Sequence, residues 1–501
     1  MPEIIDSYGR VNIIKLEGKP LLFYQVDIPE FSDAEKEILK DAEQFMGMEI
    51  INESKKLINY EERDRFLQDY LKKKITEKLE AKNEPLDNVD ILSSLVISQL
   101  YGYDILRVVL EDDNLEEVMV NSVNTPAFLV HRKHGMCVSN IGFEDENSIN
   151  SVIHKIAKNV GRIINETHPL LDARLPDGSR VNVAIPPAAP RGPSITIRKF
   201  RQKVFSVTEL IKSGTFDAEL AAFLWVCVEG LGIRPINMII SGGAGSGKTT
   251  TLNAISSFIP QHERIVTVED TLELNFKFLE DWVPLEAASS VIQKESAVTM
   301  DMLVRNTLRM RPDRVIVGEV RGPEAVTLLV AMDIGLNGSM GTLHANTARE
   351  TTTRMIQSPM NVPLSMMPFL DLIIVQNRMY TKGGGIKRCI TEVAEVGHVM
   401  QSVVELGNIY EWDSGANKLV RTKYPVMLKD KIASDAGISK HELNTELKHR
   451  EMLLRYMVDN DVVENSEVLQ LIQRYKNNPG GVISEVQAYY LGLEREKQLQ
   501  T

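Results

Sequence analysis

The chain has 501 residues, of which 43% are hydrophobic and 25% charged, and a formal net charge of −12. This length predicts two or three domains, and the composition is typical of an ordinary globular protein. The negative charge argues against a general affinity for nucleic acid or anionic lipid. The three cysteines lie far apart with no Cys-x-x-Cys pair, which argues against a zinc module or a disulfide framework.

The sequence contains neither a signal-peptide pattern nor an apolar run of about 18 residues, the length that a membrane-spanning helix needs. Widely spaced cysteines also fit a reducing compartment. We therefore expect a cytoplasmic protein that meets the membrane only through a partner.

Residues 1–90 form a polar, acidic segment that we expect to be mostly helical. An apolar run at 21–26 predicts one strand, and Ser32 with Glu35 has the spacing of a capping box at a helix start. The region 61–82 is dense in Lys and Glu. Either a solvated helix or a partner-docking module explains this region, and the residues alone leave both open.

Residues 91–200 have the mixed pattern of an α+β domain. Short strands are predicted at 118–120, 128–130, 181–185 and 195–197. Several arginines lie in the last part of this segment. Taken alone, their pattern is typical of surface charges on a small sheet. They are Arg174, Arg180, Arg191 and Arg198.

Residues 201–206 look like a linker into a third segment, 207–501. Ser206 and Glu209 form a second capping box. Apolar strands then alternate with helices, which predicts a largely parallel sheet with helices on its faces and a ligand site at the carboxyl ends of the strands. A helical tail follows, which another capping box opens at Ser439.

A glycine-rich loop follows the strand at 238–240 and fits G-x-x-x-x-G-K-[ST]. Backbone N–H groups of such a loop surround phosphate oxygens at a helix start. Lys248 would reach the β- and γ-phosphates and Thr249 would bind Mg²⁺, so the sequence predicts a nucleoside-triphosphate site. Its predicted residues are Gly242, Gly243, Ala244, Gly245, Ser246, Gly247, Lys248, Thr249 and Thr250. Alone, this loop fits a small-molecule kinase equally well.

Carboxylates follow two of the predicted strands and would lie at the same sheet edge as Lys248. Glu319 comes directly after a buried strand, and we expect it to act on the nucleotide. A structural role for Glu269 is as plausible as a functional one. Further along the chain, His344 is expected to hydrogen-bond near the γ-phosphate and report its presence.

Together these segments resemble the secretion ATPase superfamily, whose members power type II secretion, type IV pili, type IV secretion and the archaellum. The resemblance covers about residues 90–400 and rests on motifs in the family's order. They are Lys248-Thr-Thr, Val268-Glu-Asp-Thr-Leu-Glu273, Arg311 to Gly322 with its Gly318-Glu319, and Gly341-Thr-Leu-His344-Ala.

This resemblance implies a RecA-like P-loop ATPase domain that binds ATP and Mg²⁺. It assigns Glu273 as the activator of water and places Glu319 at the metal and the γ-phosphate. It also implies that Arg180, Arg191 and Arg198 of the preceding domain reach the nucleotide. A homohexamer that pushes a polytopic membrane platform protein, with other archaellum or pilus motor components, is the implied assembly.

The helical tail after residue 430 and the opening segment, Tyr24 to Pro29, are similar to archaeal members, above all to the archaellum motor ATPase. The four-cysteine module of many bacterial members is absent from the sequence. Leu336 replaces the first His-box histidine, so no role carries over to it. Pilus assembly or type II secretion remains the near alternative. A nucleic-acid translocase and a non-enzymatic nucleotide-binding scaffold are the more distant ones.

Overall fold

The structure is a computed structural model that describes residues 2–27, 29, 31–40, 47, 50, 53–54, 56–57, 60–101, 105–175, 177–200, 204–287, 298–380 and 386–500. The chain divides into two compact units, Met1–Gln202 and Lys203–Thr501. Of the predicted linker, residues 201–203 lie outside the described residues. Within the described ranges, no helix is long and apolar enough to cross a membrane.

The first unit contains one nine-stranded sheet in the order β1-β2-β3-β6-β5-β4-β9-β8-β7. Its strands are β1 (Glu3–Tyr8), β2 (Val11–Lys15), β3 (Leu22–Val26), β4 (Leu115–Val120), β5 (Pro126–His131), β6 (Gly135–Gly142), β7 (Leu170–Arg174), β8 (Arg180–Ala184) and β9 (Ser194–Arg198). Its helices are α1 (Asp33–Lys40), α2 (Tyr60–Ala81), α3 (Val89–Tyr101), α4 (Leu106–Leu110) and α5 (Glu146–Asn159). All four strands predicted within 91–200 are present.

The first 90 residues differ from the expected helical extension. Strands β1 to β3 add to the main sheet because β3 pairs with β6. Ile13, Tyr24 and Leu71 are completely buried in the same core as Val118 and Ile197. Strands β1 and β2 contain polar residues, and their apolar and polar residues alternate only weakly. The sequence therefore predicted a strand at 21–26 alone.

The second unit contains another nine-stranded sheet, in the order β12-β11-β13-β14-β10-β15-β16-β17-β18. Its strands are β10 (Met238–Ser241), β11 (Ile265–Glu269), β12 (Trp282–Glu286), β13 (Arg314–Val320), β14 (Met340–Leu343), β15 (Leu372–Tyr380), β16 (Ile386–Met400), β17 (Val403–Asp413) and β18 (Lys418–Arg421). The first six strands in this sheet order, from β12 through β10 to β15, pair in parallel. The predicted parallel sheet is therefore confirmed, with an antiparallel extension from β15 to β18.

Helices pack on both faces of this sheet and then continue as a tail. They are α6 (Val207–Lys212), α7 (Ala218–Glu229), α8 (Lys248–Ile255), α9 (Met300–Thr307), α10 (Glu324–Asp333), α11 (Ala348–Ile356), α12 (Met427–Asp435), α13 (Lys440–Asp459), α14 (Asn465–Asn477) and α15 (Pro479–Gln500). Short 3-10 turns cover Gly230–Gly232, Ser256–Phe258 and Leu364–Phe369. The capping boxes at Ser206 and Ser439 are both formed.

A buried ion pair fixes the start of strand β13. Arg314 is completely buried; its Nη2 donates to Glu263 Oε1 at 2.7 Å and its Nη1 to the Val228 carbonyl at 2.5 Å. Removing one partner of such a pair leaves an uncompensated buried charge. These bonds therefore connect the start of β13 to the loop before β11, which carries Glu263, and to helix α7, which carries Val228.

We expect Arg314→Met to lower the free energy of unfolding by about 3–5 kcal/mol, because Glu263 and the Val228 carbonyl lose their partner. Urea unfolding at neutral pH measures this loss. Arg309→Met, on an exposed side chain, is the matched control and should cost under about 0.5 kcal/mol. A loss of less than about 1 kcal/mol for Arg314→Met would contradict this account of the pair.

Candidate nucleotide site

The glycine loop lies between the buried strand β10 and helix α8, as the sequence predicted. Gly247 has φ of 96° and is the residue before the helix, a left-handed conformation that glycine adopts without strain. Lys248 follows as the first helical residue, and Thr249 and Thr250 are half-buried in the same turn. The unpaired N–H groups at this helix start provide partial positive charge.

Lys248 is buried and points back over the loop. Its Nζ donates to the carbonyls of Gly242 and Gly243 at 3.0 and 3.1 Å. Burial lowers the pKa of Lys248, and the nearby carboxylates of Glu319 and Glu273 oppose that shift. The ammonium group is therefore held at the mouth of the loop.

His344 lies between Lys248 and Glu319. Lys248 Nζ donates to His344 Nδ1 at 3.4 Å, and His344 Nε2 lies 2.9 Å from Glu319 Oε1. Because an ammonium group can only donate, Nδ1 is the acceptor and the ring proton sits on Nε2. Burial, together with the charge of Lys248, lowers the pKa of His344, which favours this neutral form.

Glu319 lies near the end of β13 and is held as a carboxylate. Burial alone would raise its pKa, but Arg321, with His344 and Lys248, holds the pKa below its usual value. Arg321 Nη2 donates to Glu319 Oε2 at 2.5 Å and Arg321 Nη1 lies 3.3 Å from Asp270. Lys248, His344 and Glu319, which three separate motifs supplied, are thus brought together.

Glu269 has a structural position in this geometry. It is buried at the end of β11, and its Oε2 accepts the backbone N–H groups of Glu273 and Leu274 at 2.8 and 3.0 Å. A Cβ at residue 318 would lie only 2.6 Å from Glu269 Cγ. The Glu269 side chain therefore occupies the space that any side chain at position 318 would need, which explains the glycine there.

We expect Gly318→Ala to destabilise the second unit by about 1–3 kcal/mol, since the new methyl group must displace Glu269. Thermal unfolding measures the shift. Gly480→Ala is the matched control, because a Cβ at that helical position meets nothing within 4 Å. An unchanged melting temperature for Gly318→Ala would disprove the steric explanation.

Glu273 is exposed on the loop that Glu269 holds. Asn253 of helix α8 fixes the same loop from the other side: its Nδ2 donates to the Glu273 carbonyl at 3.2 Å and its Oδ1 accepts from Asn275 N at 2.9 Å. The loop that carries Glu273 is thus bonded directly to the helix that carries Lys248.

The predicted arginines lie in the first unit, on strands β8 and β9 and the turn between them. Arg180 and Arg198 are cross-strand neighbours, and Arg180 Nη2 lies 2.7 Å from Asp172 Oδ2. The carbonyl of Arg191 accepts from Ser122 Oγ at 2.8 Å. A role for these side chains at a nucleotide stays a prediction.

A cavity of about 480 Å³ opens beside Glu319 and His344. Arg321, Arg354 and Met360 also line it. Arg354 is held by Glu350, whose Oε1 lies 2.7 Å from its Nη2. The cavity next to the Glu319 carboxylate is therefore bordered by the guanidinium groups of Arg321 and Arg354.

Thr249 and Glu319 supply a hydroxyl and a carboxylate, and oxygen donors of this kind are the ligands that Mg²⁺ prefers. Within the described part of the chain, no group of three or more His, Cys, Asp or Glu side chains is arranged to hold a metal.

Three residues near the loop were not predicted. Asn253 is a buried polar residue on α8. Its burial becomes visible only when the position of that helix against the sheet is known. Gln376 on β15 packs its amide against Gly247. Arg388 on β16 donates from Nε to the Gly245 carbonyl at 2.8 Å, and nothing in the local sequence marks it.

The fold and the loop define the class of P-loop α/β proteins. Residues 104–420 match the family described as "Type II/IV secretion system protein". The chain therefore belongs to that family.

Several known proteins are similar to this chain. An uncharacterized protein of Methanocaldococcus jannaschii is 48% identical over 258 residues, which are 51% of this chain and 35% of that protein. A second uncharacterized protein of the same organism is 33% identical over 381 residues, or 74% of this chain and 67% of that protein. Type IV secretion system protein PtlH of Bordetella pertussis is 30% identical over 302 residues, or 52% of this chain and 88% of PtlH. The chain spans about a third of the first relative's length.

Proposed function

We propose that this chain hydrolyses ATP and uses the energy as the motor subunit of a secretion or pilus-type assembly system. The observation that carries the proposal is the cluster of Lys248, His344 and Glu319 beside the glycine loop. A phosphate cradle alone would bind a nucleotide, whereas hydrolysis also needs carboxylates and cations around the γ-phosphoryl group.

The residues divide the work of hydrolysis among them. Lys248 draws the β- and γ-phosphates into the loop. Glu273, exposed on a loop held by Glu269 and Asn253, accepts a proton from the attacking water and orients it. Glu319, kept ionised by Arg321, holds negative charge at the phosphate side, and neutral His344 lies between it and Lys248. Thr249 and Glu319 would hold Mg²⁺, which would supply positive charge against the phosphate oxygens.

Arg180, Arg191 and Arg198 complete the site in this proposal by stabilising charge that develops on the γ-phosphoryl group. We expect Arg198→Ala to lower kcat by at least about tenfold while ATP affinity changes less than about threefold, because the contact matters most in the transition state. Steady-state phosphate release and nucleotide titration separate these effects. Arg10→Ala, on an exposed side chain of the same unit, is the control. An unchanged kcat for Arg198→Ala would mean that this arginine is a surface charge with no role in hydrolysis.

The finer assignment is a homohexameric ring of RecA-like domains that drives archaellum assembly or rotation through a polytopic membrane platform protein. The helical tail after residue 430 and the opening segment support it by their similarity to archaeal members. Pilus assembly and type II secretion are the alternatives. Deleting the gene distinguishes them, since loss of swimming, of pili or of an exported protein identifies the system.

Phosphate release by the purified chain with Mg²⁺ and ATP tests the enzymatic part of the proposal. Turnover that depends on Mg²⁺ supports a motor, and tight binding without turnover would favour a nucleotide-binding scaffold. Adding DNA at modest salt tests the translocase alternative, because stimulation of the rate would revive it despite the net charge of −12.

A further inference from the structure

We infer that Arg388 is a positioning residue that orients one peptide group of the glycine loop for phosphate binding. Arg388 follows Gly245 by 143 residues and lies on β16, in the antiparallel extension of the sheet. The inference rests on the proposed nucleotide binding and adds to it a residue outside the motifs that predicted the site.

Two donors in the loop converge on a single oxygen. Lys248 Nζ donates to the Gly243 carbonyl at 3.1 Å, and the backbone N–H of Ser246 donates to the same carbonyl over a longer 3.3 Å. Two donors that share one acceptor form the arrangement that a phosphate oxygen requires. The Lys248 ammonium and the Ser246 N–H are therefore two donors of the loop that a phosphate oxygen could take over from the Gly243 carbonyl.

Arg388 controls one of these donors through the planar peptide bond. The carbonyl of Gly245 and the N–H of Ser246 belong to the same peptide group and point in opposite directions. Arg388 Nε holds that carbonyl at 2.8 Å, so the Ser246 N–H points away from Arg388 and back into the turn. Gly245, with φ of 66°, would otherwise let this peptide rotate at little cost.

The β15–β16 hairpin supports the loop at both ends as well. A Cβ at residue 242 would lie 2.0 Å from the Gln376 carbonyl, and one at Gly247 would lie 2.9 Å from Gln376 Nε2. The loop is therefore packed on β15 at each end and hydrogen-bonded to β16 at its centre. From this position a side chain can fix the loop through the loop's own backbone.

The test separates a hydrogen bond from an electric charge. In Arg388→Gln the amide nitrogen stands as many bonds from Cα as Nε does in arginine, so the donor remains while the charge is lost. Arg388→Met keeps the length and removes both. A fluorescent ATP analogue with Mg²⁺ should bind about tenfold more weakly to Arg388→Met and within about threefold of wild type to Arg388→Gln.

Lys387→Ala is the matched control. Lys387 is the neighbouring cation on the opposite face of the strand, where its Nζ stands 5.6 Å from the Trp412 ring centroid, and we expect wild-type affinity for this variant. Arg388→Ala provides a second donor-free variant if Arg388→Met does not fold. Equal weakening of the Gln and Met variants would mean that charge acts on the nucleotide, and would overturn the inference, as would no weakening of either.

Amide hydrogen exchange of the nucleotide-free protein tests the inference independently of nucleotide binding. We expect faster exchange at residues 243–247 in Arg388→Met than in wild type or Arg388→Gln. Wild-type protein that fails to bind the analogue would contradict the proposed function, while the exchange result would still decide the role of Arg388. Identical exchange in all three proteins would overturn that role.

Discussion

Lys248→Ala is expected to weaken ATP binding by at least about 100-fold and to abolish hydrolysis. The ammonium group is buried at the mouth of the loop, and its partners among the described residues are two backbone carbonyls and His344. A phosphate oxygen would replace those carbonyls as its acceptor. Charge-assisted bonds contribute about 1.5–3 kcal/mol each, and each 1.4 kcal/mol is a factor of about ten in affinity.

Titration with a fluorescent ATP analogue measures this effect. Lys423→Ala, which removes an exposed lysine of the same unit, should bind as wild type does. The melting temperature of nucleotide-free Lys248→Ala serves as the folding control. Undiminished binding by Lys248→Ala would disprove the assignment of the loop as a phosphate cradle.

Glu319→Gln is expected to lower kcat by about 10²–10³ while ATP affinity changes only a few-fold. The amide keeps the size of the carboxylate but loses the charge that faces His344 and Arg321. Because the pKa of Glu319 lies below its usual value, the group is ionised at neutral pH, and its contribution should not vary above about pH 6. ATP should therefore accumulate unhydrolysed on the variant.

Single-turnover measurements separate binding from hydrolysis in this variant. Glu280→Gln, at an exposed carboxylate, is the matched control and should hydrolyse ATP at the wild-type rate. Glu273→Gln should also lose turnover, by removing the group proposed to orient water. Substantial phosphate release by Glu319→Gln would refute the role of that carboxylate at the γ-phosphate.

Local patterns predicted much of the second unit. The strand–loop–helix at 238–255, the parallel strands and the two capping boxes each depend on residues that are close in sequence, and all are present. The approach of Glu319 to Lys248 was predicted as well, because the carboxyl ends of parallel strands meet at one edge. Such features need no knowledge of distant contacts.

Contacts between segments that are distant in the sequence could not be predicted from the local pattern of apolar and polar residues. Arg388 and Gln376 reach the glycine loop from strands more than 100 residues away, and each is an unremarkable polar residue in its own strand. Gly318 is part of a motif that the sequence shows, but the steric reason for a glycine there, the Glu269 side chain, appears only when the two strands lie side by side.

The first 90 residues illustrate the same limit. Leu67, Leu71 and Ile75 of α2 are completely buried in the core of the first unit, so the Lys- and Glu-rich helix there is amphipathic and not fully solvated. Removing residues 1–90 would therefore take away part of that core. Substitutions at exposed positions of this segment are the better probes of partner docking.

Phosphate release measured side by side for wild type, Lys248→Ala and Glu319→Gln tests the central claim most directly. With Mg²⁺ and saturating ATP, we expect sustained turnover by wild type, none by Lys248→Ala, and a rate about 10²–10³ times lower by Glu319→Gln, which still retains bound ATP. Wild-type protein that binds ATP but releases no phosphate, or variants that turn over at the wild-type rate, would contradict it.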